Sequence, residues 1–173
     1  MAAAFECVSL SKSFGSVRAL ENVNIQLQPG RVVGLLGPNG SGKTTLIKLA
    51  NGLLTPSEGQ VLIYGQRPGP VTKALVSYLP DKLHLPEWMS AEQLINMYAD
   101  FYADFDREKA GEMLARLDLS SRKKLSQMSK GTKEKVQLIL TMSRKAKLYL
   151  LDEPIGGVDP ATRDYILDTI IRN

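Results

Sequence analysis

The sequence predicts an α/β fold built on a mostly parallel sheet, and three observations point there. Short apolar, strand-like runs alternate with helical stretches at both ends of the chain. One such run leads straight into a glycine-rich loop and a helix start near residues 37–44. Another, Leu148 to Leu151, ends in the adjacent acids Asp152 and Glu153. The 173 residues suit a single domain. With 43% hydrophobic and 23% charged residues, the chain can fill one core and does not read as disordered. Cys7 is the only cysteine, which excludes a disulfide framework and fits a reducing compartment. No apolar run reaches the roughly 18 residues of a membrane-spanning helix. Glu6 precedes any long apolar run, so the N-terminus does not read as a secretory signal. The expected location is the cytosol, or a membrane surface reached from outside the bilayer.

Taken in order, residues 5–10 and 23–28 alternate apolar and polar and read as half-buried strands. Pro29-Gly30 is a turn. Arg31 to Leu36 reads as a short strand of the fully buried kind. Thr44 to Ala50 starts a helix that Asn51-Gly52 closes. Gly59 to Tyr64 and Leu75 to Leu79 are further strands. Ser90 and Gln93 have the spacing of a capping box, opening a helix to about Ala103. Asp106 caps a second helix to about Leu117, and Lys133 to Ser143 reads as a third. Leu148 to Leu151 is a core strand. Asp159-Pro160 opens the last helix, with proline where a missing N–H costs nothing. No repeat, low-complexity tract or Gly/Ser linker divides the chain.

Residues 37–44 read GPNGSGKT and match G-x-x-x-x-G-K-[ST], with an apolar strand before and a helix after. The match reads as the phosphate loop of a P-loop NTPase. Gly40 and Gly42 let backbone N–H groups turn inward around phosphates. Gly37, Pro38, Asn39 and Ser41 complete the loop. Lys43 places a point charge on the β- and γ-phosphates, the Thr44 hydroxyl ligates Mg²⁺, and Thr45 follows in the first helical turn. The helix N-terminus adds its partial positive charge. At the other end, Asp152 closes an apolar strand where such an enzyme holds Mg²⁺ through water, and Glu153 is placed to polarise the attacking water. Read alone, the pair is equally a strand end with two solvated acids.

Residues 128–132 read MSKGT and residues 156–160 read GGVDP. In order with GPNGSGKTTL and LYLLDEP, they make the chain resemble the ATP-binding subunit of an ABC transporter, from about Val8 to the C-terminus. MSKGT resembles the family's LSGGQ signature, and GGVDP, with Asp159, its D-loop. YLPD at 78–81 stands where the Q-loop belongs. Phe14 stands where the family has an aromatic residue that stacks on adenine. The SKG signature with YLPD looks most like bacterial exporter subunits for small molecules or peptides.

The resemblance implies a RecA-like, mostly parallel sheet with an N-terminal antiparallel β subdomain and a helical insert. The expected division is one domain, 1–173, comprising part of the β subdomain at 5–30 and the P-loop core at 31–81. A helical subdomain follows at 82–128, then the signature helix, Walker B strand and D-loop at 129–173. It implies ATP and Mg²⁺ as cofactors, with Thr44, Asp152 and Asp81 toward the metal. It also implies a second ATP-binding subunit whose ATP is covered by Ser129, Lys130 and Gly131, and membrane-spanning partners that hold the chain at the inner face of the cell membrane. Three residues depart from the family pattern. Lys130 and Thr132 replace a glycine and the glutamine of the signature, and Asp81 replaces the Q-loop glutamine. The family's switch histidine has no counterpart, because His84, the only histidine, follows the Q-loop. The chain is therefore expected to stop short of later strands, with part of its sheet unpaired, and to hydrolyse ATP poorly by itself.

Two features stay open at this point. Between Arg122 and Lys147 there are nine bases and one acid, Glu134, against a net charge of +4 for the whole chain. This is either a solvated helix face or a positive surface for an anion. Trp88, Tyr98, Phe101, Tyr102 and Phe105 are either the core of the helical insert or a groove for a partner helix. Two alternative functions follow: a soluble ABC-type ATPase acting on the ribosome or nucleic acid, and a weakly hydrolysing nucleotide-binding regulatory subunit. The single ATP unit argues against the first, so nucleic acid is not the expected partner, and the intact Glu153 argues against the second.

Overall fold

The computed structural model describes residues 2–154 and 160–172. The chain divides into two compact units, Met1–Val76 with Lys147–Leu150, and Ser77–Ala146 with Leu151–Asn173.

The first unit is built on three antiparallel strands, β1 (Phe5–Phe14), β2 (Val17–Leu27) and β3 (Glu58–Ile63), in the order β2-β1-β3. β1 and β2 form a hairpin across Gly15-Ser16, with Phe14 paired to Val17 and Phe5 to Leu27. Gly15 takes φ 58°, the positive φ that two-residue hairpin turns require. The inward alternation of β1 runs Phe5, Cys7, then Leu10. An irregularity at Ser9, φ 45°, adds the residue that resets the phase, so Leu10 faces inward and Val8 outward. That bulge presses on β3: a Cβ at Gly59 would sit 2.2 Å from the Ser9 carbonyl oxygen, so this position holds glycine. Residues 17–22 are strand although Arg18-Ala19-Leu20-Glu21 favours helix by composition. Pairing with β1 decides their state.

Helix α1 (Lys43–Ala50) lays Leu46, Leu49 and Ala50 on the core formed by Phe5, Cys7, Leu10, Leu20, Val61 and Ile63. It ends as its sequence predicts, at Asn51 and Gly52, with Gly52 at φ 66°. A short helix, α2 (Pro70–Leu75), precedes β4 (Val76–Leu79); Gly69-Pro70 marks its start and was not anticipated. β4 pairs with β5 (Leu148–Leu151). The Lys147 N–H donates to Leu75 O and the Asp152 N–H to Leu79 O, both at 2.9 Å. Residue numbers rise together on both sides, so these two strands run parallel.

The strand expected at Arg31–Leu36 is a correction. Residues 31–38 are irregular, and Val32, Val33, Leu35 and Leu36 are exposed, Leu36 at 92%. A buried parallel strand exists only through a ladder partner beside it and cover on both faces. Among the described residues, this segment has no ladder partner.

The second unit is helical. It contains α3 (Ala91–Phe101), α4 (Arg107–Arg116), α5 (Lys130–Met142) and α6 (Pro160–Arg172). Local capping fixes the helix starts. Ser90 Oγ accepts from the Gln93 N–H at 3.2 Å, while the Ser90 N–H donates to Gln93 Oε1 at 2.9 Å. Asp106 Oδ1 accepts from the Lys109 N–H at 3.0 Å. That bond, with Lys145 beside it, holds the Asp106 carboxyl below the usual carboxylate range. Leu94, Ala110, Met113, Leu114, Leu125, Val136, Ile139 and Leu140 are buried. The aromatic residues separate into two groups. Tyr98 packs on Tyr102 and Phe105 at centroid distances of 5.6 and 5.8 Å, whereas Trp88 and Phe101 are 68% and 77% exposed. Among the described residues, no helix is long and apolar enough to cross a membrane.

Candidate functional site

The residues singled out from sequence fall in both units, and each set has its own geometry. In the first unit, the loop of Gly37, Pro38, Asn39, Gly40, Ser41 and Gly42 leads into α1. Gly42 caps the helix at φ 93°, and a Cβ there would lie 2.6 Å from the Ala19 carbonyl oxygen and 2.7 Å from Leu20 Cδ2. The hairpin thus fixes the loop's last residue as glycine. Gly40, at φ 81°, has open space around it, so only its backbone conformation selects glycine. The Lys43 ammonium turns back across the loop and donates to Gly37 O at 2.7 Å and Pro38 O at 2.8 Å. Its charge therefore sits at the mouth of the loop. The first turn of α1 carries no acid of its own to oppose the positive end of the helix dipole. Thr44 and Thr45 are half-buried in that turn. Phe14, on the hairpin of the same unit, is 47% exposed, with Lys12 Nζ 5.1 Å from its ring centroid. An exposed aromatic face of this kind can stack on a planar base.

In the second unit, Asp81, Lys130, Gly131, Asp152 and Glu153 line one cleft of about 380 Å³, together with Gln137. Asp152 is 4% exposed, and its Oδ2 has no hydrogen-bond partner among the described residues. A buried, acceptor-only carboxylate oxygen left in this way suits a cation, so the residue fits the Mg²⁺ that a phosphate loop implies. Glu153 turns out of the strand at φ 53° and is exposed. Adjacent acids thereby receive opposite environments, one buried and one in solvent. Tyr78 marks the same charge concentration. Burial first, then the charges of Asp152 and Asp81, push its phenol up to about 12, so it stays protonated.

Ser129 caps α5. Its Oγ accepts from the Thr132 N–H at 3.3 Å and lies 2.8 Å from Thr132 Oγ1. Thr132, in place of the family's glutamine, thus closes a local hydroxyl pair. The Lys130 side chain is 92% exposed and only loosely paired with Glu134, at 3.8 Å one helical turn on. Asp159 lies outside the described residues. His84 is exposed, and its N–H donates to Gln137 Oε1. One residue with evident structural work, Gln137, was not singled out from sequence. The available signal for Gln137 was a lone amide inside the apolar run Val136 to Leu140.

The family model described as ABC transporter matches residues 20–156. This chain belongs to the ABC transporter family. It is 32% identical over 91% of its length to the SkfA peptide export ATP-binding protein SkfE of Bacillus subtilis, covering 69% of that protein. It is 31% identical over 93% of its length to the aliphatic sulfonates import ATP-binding protein SsuB of Bacillus thuringiensis, covering 64% of that protein. A solved structure described as the ATP-binding subunit of an ABC transporter matches with a TM-score of 0.88 and 30% identity, over 98% of this chain and 74% of that one. The P-loop, RecA-like ABC ATPase fold, with its antiparallel β region and helical region, is that of this ABC chain. The chain spans 58%, 55% and 46% of three other curated relatives, or about half their length.

Proposed function

We propose that this ABC chain binds and hydrolyses ATP at an interface between two ATP-binding subunits, and so powers an ABC transporter. The observation that carries the reading is the contrast at the end of β5, where buried Asp152 has an oxygen without a partner among the described residues and Glu153 next to it stands in solvent. In this reading, the backbone of Gly37 to Gly42 and the Lys43 ammonium bind the phosphates, with Thr45 supporting the first turn. Phe14 stacks on adenine. Thr44 and Asp152 are the residues that would hold Mg²⁺, with Asp81 a further oxygen donor toward it. The bound metal would neutralise phosphate charge. Glu153 orients and deprotonates the attacking water. Ser129, Lys130 and Gly131 at the N-terminus of α5 cover the γ-phosphate held by the partner subunit, and Asp159 belongs to the same interface. The partners are a second ATP-binding subunit and membrane-spanning subunits, which keep this chain at the inner face of the cell membrane.

The finer assignment is efflux of a small molecule or peptide. Its support is the SKG signature with YLPD, and the name of the export relative SkfE. The import relative SsuB is similar to the same degree, so direction rests on the motif forms. The nucleic-acid alternative loses support from ion pairing within the basic stretch. Lys133 pairs with Glu87 at 2.8 Å, Arg144 with Asp104 at 3.0 Å and Lys145 with Asp106 at 3.0 Å. Three of the nine bases are thereby balanced locally. The test is to tag the full-length protein in its own cells, hold the ATP state with Glu153→Gln, and identify what co-purifies in mild detergent. A polytopic membrane protein supports the transporter reading; ribosomes or DNA with no membrane protein overturn it.

A further inference from the structure

Helix α5 grips the segment that carries Asp81 at two points, and one grip is made by a buried side-chain amide. Gln137 is 6% exposed. Its Nε2 donates to Pro80 O at 3.3 Å and to Lys82 O at 3.5 Å, and its Oε1 accepts the His84 N–H at 3.2 Å. These contacts use both amide hydrogens and the carbonyl oxygen, and they define the amide's orientation: carbonyls face its nitrogen and an N–H faces its oxygen. They bracket Asp81 on both sides, since Pro80 and Lys82 are its chain neighbours. The second grip is the ion pair of Lys133, one turn earlier on α5, with Glu87 at 2.8 Å. Lys133 is 15% exposed at its side chain, so this pair is partly shielded from water.

Ser129, the cap of α5, lies eight residues before Gln137, about 12 Å along the same helix. The helix between them is continuous, and its Val136–Met142 portion is buried. An element of that kind moves as a rigid piece.

We infer that Gln137 is the positioning residue for Asp81, joining the Asp81 loop to the helix whose N-terminus presents Ser129 and Gly131. The inference rests on the proposed ATPase reading. Asp81 stands where the family carries a longer, neutral glutamine, so its shorter carboxylate depends more on where its backbone is held. Gln137 supplies that hold from outside the loop. Its role is comparable to an outer-shell partner that orients a metal ligand, whose loss typically costs about 10- to 100-fold in metal affinity.

The experiment uses the full-length protein and three variants. Gln137→Met keeps the bulk and removes all three hydrogen bonds. Gln137→Glu keeps the acceptor for the His84 N–H and removes the donors to Pro80 and Lys82. Lys133→Met loosens the same segment at Glu87 only. Two readouts are taken: hydrogen exchange at the His84 amide, and the Mg²⁺ concentration for half-maximal ATPase rate. In Gln137→Met, His84 exchange rises about tenfold and the Mg²⁺ requirement rises about tenfold. In Gln137→Glu, His84 stays protected while the Mg²⁺ requirement still rises. Lys133→Met leaves that requirement within about twofold. In an Asp81→Ala background, Gln137→Met adds nothing further. An unchanged Mg²⁺ requirement in either Gln137 variant, an equal rise in Lys133→Met, or a full additional effect on top of Asp81→Ala overturns the inference. A wild-type protein with no Mg²⁺-dependent hydrolysis overturns the ATPase reading itself. A wild-type protein with such activity, indifferent to Gln137, overturns only the positioning role.

Discussion

Arg144 and Asp104 form a two-pronged ion pair, with Nε to Oδ1 and Nη2 to Oδ2 both at 3.0 Å. The guanidinium is 5% exposed at its side chain and stacks 4.0 Å from the Tyr102 ring centroid, whereas Asp104 keeps 27% of its side chain in solvent. The Asp106 N–H donates to Ser143 O and the Lys145 N–H to Asp104 O, so backbone bonds run beside the pair. The α3–α4 connection is thereby fastened to the end of α5. Because Arg144 is the more buried charge, the two partners are not equivalent. Asp104→Ala removes the carboxylate that neutralises a buried guanidinium and is expected to cost about 3 kcal/mol. Arg144→Met leaves only a half-solvated carboxylate and costs less. Urea unfolding of the two variants gives the order; the reverse order would show that the packing of Arg144 on Tyr102 matters more than its charge.

Lys43→Ala is expected to separate binding from stability. Among the described residues, its ammonium bonds only to carbonyls of its own loop, so thermal unfolding without nucleotide changes little. Loss of charged hydrogen bonds to phosphate weakens ATP binding by about two orders of magnitude. Equilibrium binding of a fluorescent ATP analogue measures the effect.

Gly42→Ala and Gly40→Ala should differ, although both glycines have positive φ. At Gly40 the new methyl meets open space, and the cost is backbone strain of about 1 kcal/mol. At Gly42 it also meets Ala19 O and Leu20 of the hairpin, and the cost rises to about 3 kcal/mol. Calorimetry of the pair separates strain from crowding.

Glu153→Gln is expected to retain ATP binding and slow hydrolysis by about 100-fold or more, since a carboxylate base is exchanged for an amide of the same shape. Phosphate release together with nucleotide retention on gel filtration checks both halves. Normal turnover would remove Glu153 from the role of base.

Alkaline pH should destabilise the chain in steps. Burial, then the Glu6 charge, push the Cys7 thiol from 9.0 up to about 12, and burial first pushes Tyr78 and Tyr98 from 10.0 up to about 12. Between pH 9 and 12 the folded state therefore keeps protons that the unfolded state has lost, and stability falls as pH rises. Below about pH 8 these groups contribute almost no slope, because the unfolded thiol is still protonated there. Cys7→Ala moves the onset up by about one unit, to about pH 9, where the unfolded tyrosines begin to titrate. Denaturant midpoints measured from pH 8 to pH 11 test the onset.

The legible parts of this fold were those whose cause is local. Ser90 with Gln93, Asp106, and Asn51-Gly52 each mark a helix end with atoms a few residues apart, and each stands where its pattern put it. The phosphate loop was legible because its glycines, lysine and threonine answer to one ligand chemistry. The first half of β2 was hidden because Arg18 to Glu21 favour helix until β1 is beside them. Arg31–Leu36 misled for the opposite reason: its composition suits a buried strand, but a strand's state is settled by partners distant in sequence. The work of Gln137 was illegible because 55 residues or so separate it from the carbonyls it holds.

The exposure of Val32 to Leu36 bears on the order in which the molecule assembles. Capped helices and a hairpin closing over two residues can form within microseconds, because their contacts are near in sequence. A run that relies on distant partners waits for them, and the loop it leads into waits with it. In the proposed ATPase, nucleotide bound only by the assembled loop would stabilise that state. At a free concentration of about 100 times its Kd, it adds about 2.7 kcal/mol to the assembled state. Bound nucleotide would thus favour the assembled form of the loop it touches.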